Sequence, residues 1–123
     1  MEICVVISPD KLSMSMFCDF FQNVISESIK IVDFNCLNSK EMQDKEFEGL
    51  IGGNISETCL LIKYKTKPQT KLSLPPKLEE KANYIIKFDL FSMHPELVKD
   101  TVGDGKGILE KWMTNVLKMD KTI

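Results

Sequence analysis

The stretch that most constrains the fold is Ile3-Cys4-Val5-Val6-Ile7, five consecutive apolar residues rich in β-branched side chains. A strand half exposed to water alternates apolar and polar positions. An unbroken run implies cover on both faces, as in the middle of a sheet flanked by helices. Ser8-Pro9-Asp10 follows and reads as a helix start, with Ser8 as cap, Pro9 at the first position and Asp10 at the positive end of the dipole. Met14, Phe17, Cys18, Phe21, Val24 and Ile25 then recur at three- and four-residue steps, which predicts a helix over 10–28. Residues 29–37, Ile-Lys-Ile-Val-Asp-Phe-Asn-Cys-Leu, read as a second strand. Strand, helix and strand over so short a span have the length of a crossover unit with parallel strands.

Further along, Asn38 and Glu41 resemble a capping box opening a polar helix to about Glu48. Thr58 to Lys65 reads as a third strand. Residues 66–82 carry three prolines and read as a long loop. In the fourth strand, 83–91, Tyr84, Ile86, Phe88 and Leu90 alternate with Lys87 and Asp89, which predicts a one-sided or edge strand. A short helix is expected from Pro95 to Val102. The last helix carries two adjacent apolar rows, Ile108, Trp112, Val116 and Leu109, Met113, Leu117.

The expected architecture is a single α/β domain over 1–123, with a mixed sheet of about four strands, a β-α-β start, a C-terminal amphipathic helix and a Lys/Pro-rich loop at 66–82. The lysine-bearing third strand is placed toward an edge. The alternative is an α+β sheet with helices on one face. A chain of 123 residues with 43% apolar and 28% charged residues supports one globular core.

Composition also bears on function. All 16 basic residues are lysine. The missing arginine forks count against sequence-specific DNA reading. Residues 1–57 hold four lysines against ten acids, and residues 58–123 twelve against eight, a polarity that suits orienting a partner. Cys4, Cys18, Cys36 and Cys59 lack the paired spacing of a zinc site, have apolar neighbours and read as reduced core thiols. No basic, signal-like start and no membrane-length apolar run is found, so the expectation is a cytoplasmic protein, with the nucleus as an alternative.

Three candidate sites emerge. Lys63, Lys65, Lys67, Lys71 and Lys77 stand against one acid between Glu57 and Lys77; solvated lysines guarding an edge strand are the simpler reading, and the cluster could instead meet an acidic partner or, less favourably, a nucleic acid. Gly103, Gly105, Lys106 and Gly107 could present amides to a phosphate, but the order departs from G-x-x-x-x-G-K-[ST] and a hinge is the simpler reading. The turn after the first strand, with Ser8, Asp10, Ser13 and Ser15 and with Asp33 on the second strand, lies where α/β sheets bind ligands. It lacks the glycines of a dinucleotide site. His94 is the one histidine and precedes Pro95, so it reads as structural.

No cofactor, metal or catalytic set is expected, and the sequence leans away from an enzyme. The leading functional expectation is a non-catalytic protein-interaction module: an assembly factor, an adaptor or a small subunit of a complex, with a protein partner and no membrane. Its alternatives are a small phosphate- or nucleotide-binding α/β protein and a nucleic-acid accessory protein using the lysine-rich loop.

Overall fold

A computed structural model describes residues 2–24, 28–35, 37–53, 56–67, 74–89 and 93–121. The elements are β1 (Glu2–Ser8), α1 (Lys11–Val24), β2 (Ile29–Asn35), α2 (Lys40–Ile51), β3 (Cys59–Lys65), α3 (Pro76–Lys81), β4 (Tyr84–Lys87), β5 (Glu96–Asp100) and α4 (Gly105–Lys121). Five strands form one sheet in the order β2-β3-β1-β4-β5. All neighbours are parallel except β4 and β5.

The apolar run does sit at the centre. β1 pairs with β3 on one side and β4 on the other. Its alternate side chains supply two cores. Cys4 and Val6 join Leu61, Ile86, Phe17, Phe21 and Trp112 beneath α1 and α4. Ile3, Val5 and Ile7 join Leu60, Ile62, Phe47 and Leu78 beneath α2 and α3. The domain is therefore a three-layer α/β sandwich, with helices on both faces.

In the first core, Phe17 meets Trp112 edge-on at 5.2 Å between ring centroids and Phe88 at 5.4 Å. The Trp112 indole N–H donates to the Met93 carbonyl at 2.9 Å, so its polar atom is satisfied although the side chain is fully buried. In the second, the Tyr64 hydroxyl donates to Gln43 Oε1 at 2.7 Å, and Gln43 Nε2 donates to the Asn38 carbonyl at 2.8 Å.

Several local expectations change. The segment from Pro95 is strand β5, not a helix: Leu97 and Lys99 alternate with the exposed Glu96 and Val98, and the strand pairs antiparallel with β4. This raises the strand count to five. β4 is interior, with Tyr84, Ile85 and Ile86 all buried: β5 pairs along its open edge, and Leu78 and Ala82 at α3 cover Ile85 on the face that sequence alternation left wet. β3 is interior too, between β1 and β2. The long loop contains α3, begun by Pro76, whose missing N–H is no loss in a first turn. Strands three and four never pair, since β1 lies between them. Capping shifts by a residue or two. Ser39, not Asn38, caps α2 by accepting from the Met42 amide, and Asp10, not Ser8, accepts from the Leu12 amide at the start of α1. Of the two rows on α4, only Ile108, Trp112 and Val116 are buried, and Leu117 is exposed.

Candidate functional site

The β3–α3 and β1–α1 connections leave the sheet at its carboxyl edge, where open α/β sheets hold ligands. Ser8 closes β1 there. Its hydroxyl accepts from the Asp10 amide at 3.0 Å and donates to the Asp10 carbonyl at 2.9 Å. The Asp10 carboxylate accepts from Leu12 N–H and from the Ser13 hydroxyl, each at 3.0 Å. These bonds, the Leu12 amide first, hold Asp10 below the usual carboxylate range. The turn is thus closed by its own side chains, and Ser8 and Ser13 are buried.

Beside this turn lies a cleft of about 640 Å³. The first turns of α1 form one wall through Lys11, Met14 and Ser15; the ends of β2 and β3 form the other through Asp33, Lys63 and Lys65. Thr66, Lys67 and Leu37 complete the rim. Register explains the grouping. In the parallel β2–β3 pair, Asp33 is the partner of Lys63 and Asn35 of Lys65. Two-residue periodicity puts Lys63 and Lys65 on the face of Cys59 and Leu61, under α1. The alternate residues Phe34 and Tyr64 are buried in the opposite core.

Four ammonium groups against one carboxylate give the cleft a positive field. Its electrostatics reach into the core. Burial pushes the Cys18 thiol up to about 12, with Lys63 pulling it down and Asp19 and Asp33 pushing it up. Neither ion pair among the described residues involves a cleft lysine: one joins Lys45 to Glu41 and the other Lys77 to Glu48.

The structure thus gathers Lys63, Lys65 and Lys67 and adds Lys11, from a helix 52 positions before Lys63. No spacing rule marks Lys11; only the crossover after β1 brings it to β3. Lys77 belongs elsewhere. It is on α3, on the opposite face of the sheet, bonded to Glu48. That bond raises the Lys77 ammonium and lowers the Glu48 carboxyl from their ordinary values. Lys71 lies outside the described residues.

The glycine-rich segment has a different character. Gly103 adopts φ 101°, which suits glycine. The Asp100 carboxylate accepts from the amides of Val102 at 3.0 Å, Gly103 at 2.8 Å and Gly105 at 2.9 Å. These bonds, Gly103 first, lower the Asp100 carboxyl. The amides that would face a phosphate thus face an internal carboxylate. Lys106 and Gly107 are exposed in the first turn of α4. Asp104 accepts from the Tyr84 hydroxyl, and burial followed by that contact raises the phenol well above its usual range. The loop links strand to helix rather than helix to helix.

His94 is exposed between Met93 and β5. Among the described residues, no group of three or more His, Cys, Asp or Glu side chains is placed to hold a metal ion, and no helix is long and apolar enough to cross a membrane. Comparison with known proteins yields no match: no family model, no curated protein and no solved structure is significantly similar to the chain.

Proposed function

We propose that the protein is a non-catalytic binding protein that takes a phosphate-bearing small molecule in the cleft at the carboxyl edge of β2 and β3. The supporting observation is the convergence of Lys11, Lys63, Lys65 and Lys67 on one cavity of about 640 Å³. That volume falls within the range of small-ligand sites, roughly 300–1,000 Å³. Lysine serves phosphate as a point charge without needing the arginine fork. Thermal unfolding with inorganic pyrophosphate tests it. Ligand at a hundred times its Kd stabilises by about 2.7 kcal/mol. The reading fails if neither pyrophosphate nor any nucleotide raises Tm, or if Lys65→Glu leaves the rise intact.

A second reading, a protein-interaction module that docks an acidic partner segment, is favoured by exposed Leu37 on the rim beside the same lysines and by exposed Leu12, next to Lys11 in the chain. Apolar anchors ringed by charge suit protein recognition. Affinity capture of a partner by the native chain, lost with Lys65→Glu, would favour it. The buried thiols of Cys4 and Cys18, neither in a disulfide, support a reducing compartment, the cytoplasm or the nucleus.

A further inference from the structure

We infer that the ligand of the cleft is a phosphorylated ribonucleoside, recognised at its sugar by Asp33; the inference rests on the phosphate-binding reading above. A cleft built for bare phosphate gains nothing from a carboxylate among its lysines, because like charges repel. Asp33 nonetheless stands exposed on β2, directly beside Lys63 and on the same face. A carboxylate is acceptor-only, so it favours a ligand that brings hydroxyl donors to that point. The 2′- and 3′-hydroxyls of a ribose are such donors, and a carboxylate on the second strand is a recurrent way to bind them.

The spacing agrees. Adjacent strands lie about 4.8 Å apart and residues rise about 3.3 Å each, so the Asp33 Cα is about 8 Å from that of Lys65. That leaves room for a ribose between its hydroxyls on Asp33 and its 5′-phosphate on Lys65, Lys67 and Lys11. Past the end of β2, Leu37 is 69% exposed on the cleft rim. It offers an apolar surface on the Asp33 side, where the base would lie. The phosphate is held by side chains alone, since the β1–α1 turn spends its bonds internally.

Isothermal titration of the full chain with ribonucleoside 5′-monophosphates, their 2′-deoxy forms, ribose 5-phosphate and inorganic pyrophosphate tests this. At least one ribonucleotide is expected to bind about tenfold tighter than its deoxy form. Asp33→Asn should erase that ratio while keeping phosphate affinity. Leu37→Ala should weaken nucleotides but not ribose 5-phosphate. Lys65→Glu should weaken every ligand. All three side chains are exposed, so folding is not at stake. Equal binding of ribo and deoxy forms would overturn the inference, as would ribose 5-phosphate or pyrophosphate matching the nucleotides; in each case phosphate binding stands. No binding by pyrophosphate or any nucleotide would remove both.

Discussion

Gln43 on α2 and Tyr64 on β3 form a hydrogen bond of 2.7 Å in which both side chains are buried, and Gln43 passes the chain of donors on to the Asn38 carbonyl. Tyr64→Phe therefore strands a buried amide oxygen. A loss of about 1–3 kcal/mol is expected in urea unfolding. Gln43→Met alone removes the amide acceptor of the phenol at similar cost. The double variant should lose less than the sum, because the phenol hydroxyl and the amide oxygen are removed together and only the Asn38 carbonyl loses a donor.

Gly105 and Gly107 make a matched pair. A Cβ on Gly105 would stand 2.8 Å from Asp100 Oδ2 and 3.0 Å from Leu97 Cδ2, whereas one on Gly107 meets nothing within 4 Å. Gly105→Ala should destabilise by about 1–3 kcal/mol through overpacking and lost amide bonding. Gly107→Ala should stabilise by about 0.5 kcal/mol through helix propensity. Denaturation midpoints of the two variants should move in opposite directions.

Asp100 makes the β5–α4 junction acid-sensitive. Its folded carboxyl is depressed below the ordinary value by the amides it accepts. A depressed carboxyl stabilises the fold above its unfolded pKa, and that contribution disappears as pH falls through the folded value. The Tm of Asp100→Asn should trail the parent at neutral pH. The gap should close once pH drops below the parent's folded value. A gap unchanged across that window would mean the charge of Asp100 is irrelevant to the junction.

The thiols should report unfolding rather than surface chemistry. Cys4, Cys18 and Cys59 are buried, and burial raises the first two. Alkylation at pH 8 should leave all three intact in the native protein, with mass spectrometry showing their modification only in denaturant.

Much of the scaffold was readable because its signals are local. Continuous apolarity placed β1 at the centre, and four-residue recurrence put Phe17 and Trp112 on the apolar faces of their helices; that the two meet in one core follows from the topology. Burial of β4 was not readable: Lys87 and Asp89 mimic a wet face, and only the return of α3 over Ile85 and the pairing with β5 close both its open face and its open edge. β5 itself reads ambiguously, since in Glu96-Leu97-Val98-Lys99 a short run fits either period. The site was half legible. Lys63 and Lys65 share a strand face, so their pairing follows from the two-residue period. Lys11 and Asp33 join them through topology, and Lys77 leaves because α3 returns on the far side of the sheet.

The position of β1 has a further consequence for how the chain assembles. Glu2 waits for Cys59 and Cys4 waits for Tyr84, so the hub of the sheet precedes both of its neighbours in sequence. Early in synthesis the most water-averse segment has nothing to zip against. Refolding should thus be slowed by the search for distant contacts, and nascent chains that end before the third strand would present that segment to chaperones rather than to a sheet.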